Sequence, residues 1–250
     1  MDTSSQHFLF ELLNTPSPSG REEEIQKKWL TYVEPFAEDL NTDAAGNAIA
    51  TINNDAKQQI VLAGHCDEIG FLVKSIDSNG YISVEKLGGI SHKPALGMKV
   101  EILGKKGPIS GVIGVNAEHH GGAKDSFSFS DLFIDCGATS KEEMEEYVSI
   151  GDVAVYKRTP EKLLNDQIAG RGLDNRTGAF IVAEVLRKLS RKNISVGVSA
   201  VSTVNEETNL GGAYFAGASL EPSLAIAIDV TFATDYPSAN KDKHIINMRR

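Results

Sequence analysis

Residues 60–71 read IVLAGHCDEIGF, an apolar run that stops abruptly at ionisable side chains. The first four residues are apolar and two of them are β-branched, a pattern typical of a short strand that is buried on both faces of a sheet. Gly64 ends the apolar run, and His65, Asp67 and Glu68 follow it. A buried strand that delivers an imidazole and two carboxylates at its end predicts a functional site at the edge of an α/β sheet.

The composition indicates a soluble globular protein. The chain has 250 residues, of which 41% are hydrophobic, enough for a packed core. The formal net charge of −9 argues against a nucleic-acid partner, because a phosphate backbone attracts a basic surface. No run approaches the roughly 18 apolar residues of a membrane helix. Since the chain has two cysteines and an N-terminal sequence unlike a secretory signal, we expect a cytoplasmic protein without disulfides.

The periodicity of apolar residues divides the chain into two parts. Helical and strand patterns alternate before residue 70 and after residue 163, as in α/β domains. Between them, short strands are separated by glycine and proline, as in a small barrel or sandwich. These strands are predicted in GYISVEKL, MKVEILG, PISGVIGV, DLFIDCGA and GDVAVYKR. We therefore expect an α/β domain, residues 1–70 and 163–250, interrupted by an inserted β domain, residues 71–162.

Acidic residues or histidine appear in four motifs where apolar stretches of the α/β part stop. In open α/β sheets the chemistry lies outside the carboxyl ends of the strands, so we expect these side chains to converge. One neutral imidazole with several carboxylates suits Zn²⁺, Co²⁺ or Mn²⁺, and a divalent cation relieves the repulsion among the carboxylates. The residues are His65 and Asp67 in LAGHCDEIG, Asp174 in GRGLDNRTG, Glu206 and Glu207 in STVNEETNLGG, and Asp229 in AIAIDVTFATD.

Each of these residues, taken alone, has an ordinary structural explanation. A single His65 at a strand end is more often a hydrogen-bonded histidine than a ligand. Asp174 fits the cap of the following helix, and Asp229 fits a strand-end turn. The His-x-Asp spacing on an extended segment places both side chains on one face, so Asp67 can orient a ligating imidazole, whereas Cys66 points toward the core. The four motifs together favour a metal site.

Glu206 and Glu207 form the sharpest local feature. Burying two adjacent glutamates at the end of an apolar strand costs free energy, so a purely structural role requires that this end be exposed to solvent. In an extended chain neighbouring side chains point apart, which predicts two different roles. One glutamate would bind a metal ion, and the other would act as general base on a water molecule. The residues alone leave open which glutamate does which.

In this order, with a β insertion between the first and the second, the four motifs resemble those of the tetrahedral aminopeptidases. That family includes deblocking and glutamyl aminopeptidases and proteins historically labelled endoglucanase M. The resemblance implies a zinc-peptidase-like α/β/α sandwich with an inserted small β-barrel-like domain. It implies a metalloaminopeptidase that removes N-terminal residues from peptides with a free N-terminus. The insertion would pair subunits in a homo-oligomer that is built from dimers.

The resemblance also implies a two-metal site. The two ions would be Zn²⁺ or Co²⁺, with Mn²⁺ as a further option, and one aspartate would bridge them. The implied roles are first-ion ligands for His65, Asp174 and Asp229, second-ion ligands for Asp174 and Glu207, general base for Glu206, and orienting partner of His65 for Asp67.

Chains of this family continue beyond the point that matches the end of this sequence, to a final histidine that completes the second metal site. The last residues here, HIINMRR, do not resemble that continuation. We therefore expect the α/β domain to be incomplete at its C-terminal end and the second site to lack a ligand. His244 is a candidate substitute, but it follows a charged Lys-Asp-Lys run, which favours a solvated tail.

Two other functions fit parts of the sequence. A glycoside hydrolase fits the abundant carboxylates, but it needs two carboxyl groups that face each other across a sugar, and neighbours on one strand do not supply them. A catalytically weak or inactive form that acts only in assembly or binding fits the expected loss of the C-terminal part. Chelator sensitivity and peptide turnover separate these functions from a metalloaminopeptidase.

Overall fold

The computed structural model describes residues 1–117, 119, 127–237, 239 and 246. It confirms the predicted fold class, because a mixed α/β domain carries a closed six-stranded barrel. The helices are α1 (Thr3–Asn14), α2 (Glu23–Val33), α3 (Lys141–Glu145), α4 (Leu173–Leu189), α5 (Glu206–Asn209) and α6 (Gly211–Leu220). The strands are β1 (Asp39–Thr42), β2 (Ala48–Ile52), β3 (Gln59–His65), β4 (Gly70–Ile76), β5 (Ile82–Leu87), β6 (Lys99–Gly104), β7 (Gly107–Gly114), β8 (Phe133–Asp135), β9 (Val153–Tyr156), β10 (Glu161–Lys162), β11 (Ile168–Ala169), β12 (Gly197–Thr203) and β13 (Leu224–Ala227).

Helices α1, α2 and α4 cover one face of the main sheet, because each presents an apolar stripe at helical spacing. Phe8 and Leu12 of α1, Trp29 of α2 and Ala183 of α4 are all buried in this main core. The indole N–H of Trp29 donates a hydrogen bond of 2.8 Å to the carbonyl of Ala179, so its polar atom is satisfied inside the core. Within the described ranges, no helix has the length and apolar character needed to cross a bilayer.

The main sheet has the strand order β1-β2-β12-β3-β13. Strands β12 and β13 run parallel to β3, whereas β2 is antiparallel to β12. In the register of the central pair, Thr203 at the end of β12 lies opposite His65 at the end of β3. Because parallel strands end at the same edge, the segments that follow β3, β12 and β13 leave the sheet side by side.

The opposite face of the sheet carries a smaller core. Alternate residues of the same strands, Ile49, Val61 and Val201, point to this face and pack with Ala216 of α6. Helices therefore cover both faces, and the α/β part has three layers.

The insertion forms a barrel with the strand order β4-β5-β8-β7-β6-β9. Its core is apolar, and Phe71, Ile102 and Ile134 are fully buried. Phe71 of β4 pairs with Ala154 of β9, so the strands that enter and leave the barrel are hydrogen-bonded neighbours. Each of the five strands predicted in this part is present. A further strand, β4, follows the first metal motif directly and is not among those predicted.

Helix α4 and strand β3 approach each other closely at Gly64. A methyl group on Gly64 would lie 2.5 Å from the carbonyl carbon of Gly178 and 2.7 Å from the backbone nitrogen of Ala179. A side chain does not fit at this distance, so glycine is required. The close approach brings the helix that carries Asp174 down onto the strand that carries His65.

We expect Gly64→Ala to destabilise the fold by about 1–3 kcal/mol, because the added methyl group pushes α4 away from the sheet. The melting temperature should fall by roughly 2–4 °C for each kcal/mol in a chain of this size. The control is Gly217→Ala in α6, where nothing lies within 4 Å of the added methyl group. That variant should be more stable by about 0.5–1 kcal/mol, since alanine favours the helix. Thermal and urea unfolding test both, and an unchanged Gly64→Ala protein would contradict the packing argument.

Candidate metal centre

The structure brings the side chains singled out in the four motifs to one edge of the main sheet. His65 ends β3, Asp174 lies in the first turn of α4, Glu206 and Glu207 open α5, and Asp229 follows β13. Two sets of ligand atoms each lie within 4.8 Å of one another. The first set joins His65, Glu206 and Glu207, and the second joins His65, Asp174 and Asp229. His65 belongs to both sets and is the centre of the cluster.

The imidazole of His65 is 3% exposed and has a different neighbour at each nitrogen. Its Nε2 lies 3.3 Å from Oδ1 of Asp174 and 3.6 Å from Oε2 of Glu206. Its Nδ1 lies 3.3 Å from Oδ1 of Asp67 and 3.2 Å from the Asp67 carbonyl oxygen. Asp67 therefore fixes the ring orientation, and the opposite nitrogen faces the carboxylates, as in metal sites where a carboxylate orients a ligating histidine.

Asp67 is fully buried and links two of the motifs. Its carboxylate accepts hydrogen bonds from the hydroxyl of Ser19 (2.6 Å) and from the backbone N–H groups of Glu206 (3.0 Å) and Glu207 (3.2 Å). Although burial opposes its ionisation, the hydrogen bonds from His65, Ser19 and Glu206 hold the pKa of Asp67 below its ordinary value. The same carboxylate thus positions the imidazole and the start of α5.

Asp174 and Asp229 form the solvent side of the cluster. The Asp174 side chain is 62% exposed, and Asp229 is also exposed. The start of α4 has no side-chain capping hydrogen bond at its first position, and the Asp174 backbone is not helical. Instead, the side chain of Asn175 accepts the backbone N–H of Gly178 at 2.9 Å. Asp174 is therefore not needed as a cap and is free to face His65.

The extended conformation that we expected for Glu206 and Glu207 is wrong. Both residues lie in the first turn of α5, after Asn205 turns the chain with a φ of 54°. The turn occurs because the buried Asp67 carboxylate binds both of their backbone N–H groups, which an extended strand end would not present together. Both carboxylates consequently reach the His65 cluster instead of pointing apart.

The crowding of acidic groups shows in their pKa values. Burial, followed by repulsion from Asp174, raises the pKa of Glu207 to about 7. Burial and the Asp229 carboxylate raise the pKa of Glu206. At the imidazole, burial opposes protonation, but the hydrogen bond and charge of Asp67 outweigh it and raise the pKa of His65 to about 9. An acidic cluster that resists full ionisation and attracts a proton is suited to hold a divalent cation, which neutralises the same charges.

Several residues hold the site in place although the sequence does not predict this role for them. Glu22 accepts the backbone N–H of Asn205 at 3.0 Å, and Ser19 binds Asp67, so the loop before α2 supports two of the motifs. Glu68 and Arg176, which lie inside the quoted motifs, form a buried ion pair. Their charges ordinarily predict solvent exposure, so the sequence offers no signal for this buried pair.

Cys66 and His244 are two further residues whose side chains are of a type that binds metal ions. Cys66 is fully buried in the main core, as expected, and burial raises the pKa of its thiol far above the ordinary value. It is therefore an inert core residue and not a ligand. His244 lies outside the described residues.

The barrel contacts the cluster at Gly88. This residue has a φ of +75°, and a methyl group on it would lie 2.8 Å from Cγ2 of Ile69 and 3.2 Å from Cβ of Glu207. The loop that follows β5 therefore packs directly against the residue that presents one of the carboxylates. Glycine at this position allows the approach and the left-handed conformation together.

The known proteins that resemble this chain indicate a single family. The model of the M42 glutamyl aminopeptidase family matches residues 46–248. A putative aminopeptidase of Acetivibrio thermocellus is 34% identical over 223 residues, which cover 89% of this chain and 64% of that protein. The chain thus spans about two thirds of the length of the curated relatives that it matches.

Solved structures agree with this relationship. The TET aminopeptidase of the marine sediment archaeon Thaumarchaeota archaeon SCGC AB-539-E09 superposes with a TM-score of 0.94 at 31% identity, over 98% of this chain and 70% of that chain. The TET1 peptidase of Pyrococcus horikoshii, described as able to assemble into a tetrahedron or a large octahedral shell, has a TM-score of 0.84 at 33% identity, over 93% and 70% of the two chains.

We expect Gly88→Ala to weaken the binding of Zn²⁺ or Co²⁺ to the metal-free protein by roughly tenfold, because the added methyl group displaces Glu207. Gly97→Ala is the matched control, since Gly97 has the same φ of +75° but no atom within 4 Å of the added methyl group. Both variants place alanine at the same positive φ, and Gly88→Ala adds the clash with Ile69 and Glu207, so its stability should fall further than that of Gly97→Ala. Isothermal titration with the metal separates them, and equal affinities would contradict the contact between the barrel and Glu207.

Proposed function

The chain belongs to the M42 glutamyl aminopeptidase family, and on that premise we propose that it is a metal-dependent aminopeptidase. It would remove N-terminal residues from peptides that carry a free N-terminus. The observation that supports this proposal most directly is the buried His65, whose Nδ1 is held by Asp67 while its Nε2 faces carboxylates from three other segments of the chain.

The donor set fits divalent cations. His65, Asp174 and Asp229 would hold one ion, and Asp174 would bridge to a second ion that Glu207 also binds. We propose Zn²⁺ or Co²⁺, with Mn²⁺ as a further option, because one imidazole and several carboxylates suit these metals. Only Asp174 and Glu207 are proposed as ligands of the second ion among the described residues, so it would bind more weakly than the first. When bound, the ions polarise the scissile carbonyl and acidify water.

Glu206 is the proposed general base. It lies 3.6 Å from the imidazole, is partly exposed toward the open side of the cluster, and has a raised pKa, which brings it closer to neutral pH. Its carboxylate would take the proton of the attacking water and pass it to the amide nitrogen that leaves. Asp67 would keep His65 in the orientation that the ligand role requires.

The geometry does not favour a glycoside hydrolase. A retaining or inverting enzyme places its two carboxyl groups on opposite sides of the sugar, about 5–9.5 Å apart. Here the carboxylates crowd around one histidine, with each ligand set inside 4.8 Å. Such crowding serves a cation better than a sugar ring. The remaining alternative is a form that only assembles or binds, and a measurement of peptide hydrolysis by this chain distinguishes it from an enzyme.

Assembly is the second part of the proposal. We propose that residues 71–162 form the domain through which subunits pair, and that residues 1–70 and 163–250 carry the chemistry. The barrel offers apolar side chains to solvent, including Ile150 (69% exposed), Leu96 and Val112. The tetrahedron and octahedral shell described for the TET1 peptidase support a homo-oligomer, and we propose that it is built from dimers. A cytoplasmic location fits the two unpaired cysteines.

Glu206→Gln is expected to lower kcat by about 10²–10⁴, because the amide keeps the shape of the side chain but accepts no proton at neutral pH. Its metal content should equal that of the unchanged protein. Asp174→Ala should instead lose most of the bound metal, since the bridging carboxylate serves both ions. Peptide hydrolysis and metal analysis are measured together. A near-normal kcat in Glu206→Gln would contradict the assignment of Glu206 as general base. Metal binding by the unchanged protein without any peptide hydrolysis would favour a binding role.

Ile150→Glu and Val112→Glu are expected to yield smaller particles, because a charge on the pairing surface costs free energy to desolvate. Tyr214→Glu is the control, since Tyr214 is 72% exposed but lies on α6 in the α/β part. Light scattering measures the particle mass at equal protein concentration. Smaller particles from Tyr214→Glu and unchanged ones from both barrel variants would show that the α/β part carries the association.

A further inference from the structure

We propose that Glu68, Arg171 and Arg176 form a positioning cluster that fixes Asp174 against His65. The inference rests on the proposed function, because it concerns the geometry of the same metal ligands. None of the three residues faces the metal ligands directly; they act through the segments that carry them.

Glu68 is the centre of this positioning cluster. It is 3% exposed, and its Oε1 accepts hydrogen bonds from both guanidinium groups and from the backbone N–H of Ser17 (3.1 Å). Its backbone pairs with the same loop, since its N–H donates to the Ser17 carbonyl at 3.0 Å. Glu68 is three residues after His65, so a rigid Glu68 fixes the end of β3.

The two arginines lie on either side of Asp174 in the sequence, in RGLDNR. Arg176 is fully buried and also donates to the Leu13 carbonyl (3.2 Å) and to the hydroxyl of Ser17 (2.8 Å). The Arg171 side chain is 7% exposed and also donates to the Asn14 carbonyl (3.0 Å). One carboxylate thus anchors the chain on both sides of Asp174.

The charges explain why this arrangement serves geometry more than stability. Two guanidinium groups around one carboxylate leave an excess positive charge in a place with little water, and buried ion pairs are poor stabilisers because desolvation offsets their attraction. Planar guanidinium groups do fix the orientation of the groups that they bind, because each presents several N–H donors in a rigid, planar arrangement. The result is that His65 Nε2 and Asp174 Oδ1 are held 3.3 Å apart although they come from segments far apart in the sequence.

Arg171→Gln tests the inference, because it removes the excess charge and leaves the Glu68–Arg176 pair intact. We expect its melting temperature to equal or exceed that of the unchanged protein, while its affinity for Co²⁺ falls roughly 10- to 100-fold. Hydrolysis should lose kcat and keep KM. Arg171→Lys retains the charge but not the planar guanidinium group, so its Co²⁺ affinity should lie between that of the unchanged protein and that of Arg171→Gln.

A second readout is independent of metal and activity. Hydrogen exchange of the metal-free protein should be faster in Arg171→Gln at the backbone amides of residues 173–178, which are ordered in part by the Arg176 N–H bond to the Gly172 carbonyl. If the unchanged protein bound no Co²⁺ and cleaved no peptide, the proposed function would fail, and hydrogen exchange would still decide the positioning role.

Glu184→Gln is the matched control. Glu184 is also a largely buried carboxylate on α4, bound to Arg187, Ser5 and Tyr32, but it lies about three helical turns beyond Asp174. The Glu184→Gln substitution should lower the melting temperature without changing the Co²⁺ affinity or the hydrogen exchange of residues 173–178. Glu68→Gln should weaken Co²⁺ binding at least as much as Arg171→Gln if it folds. Wild-type affinity and exchange in Arg171→Gln, or an equal affinity loss in Glu184→Gln, would overturn the proposal.

Discussion

The parallel pairing of β3 with β12 and β13 is the constraint on which the site depends. The register sets Thr203 opposite His65, so the chain leaves the sheet at neighbouring points after each strand. Every acidic residue of the cluster except Asp174 follows one of these three strands. Asp174 arrives on α4, which can descend to the same point because Gly64 and Gly178 leave no side chain between helix and strand. Backbone geometry therefore assembles the charges, and their mutual repulsion gives them an affinity for cations.

Buried hydrogen bonds hold this repulsive arrangement together. Asp67 binds the imidazole, a serine and two backbone N–H groups at once. Glu68, the next residue, binds two guanidinium groups on the other side of the chain. Two adjacent carboxylates thus face opposite ways, one toward the proposed ligands and one toward their support. Neither is accessible to water, so each depends on its protein partners for solvation.

The sequence predicts the parts of this structure that depend on local pattern. The strand at residues 60–63 and the β-rich insertion both follow from periodicity and turn residues. The conformation of Glu206 and Glu207 does not, because it is set by a carboxylate about 140 residues earlier that captures their N–H groups. The burial of Arg176 is likewise invisible in the sequence, since its partner Glu68 lies on another segment. Short-range preferences describe elements, whereas the site is made by contacts between elements.

The hydrogen bonding of β4 to β9 has a consequence for how the protein folds. His65 and Asp174 are separated by the whole insertion, and joining them directly would close a very long loop. Because Phe71 pairs with Ala154, a folded barrel shortens that loop to about a quarter of its length. The entropic free-energy cost of closing the loop falls by about 1 kcal/mol as a result. Within the barrel, β5 follows β4 directly and pairs with it, and β7 does the same with β6. The lowest entropic cost is therefore met when the barrel folds first and the ligand cluster assembles afterwards. A metal ion would then bind late in folding and stabilise a chain that is already largely folded.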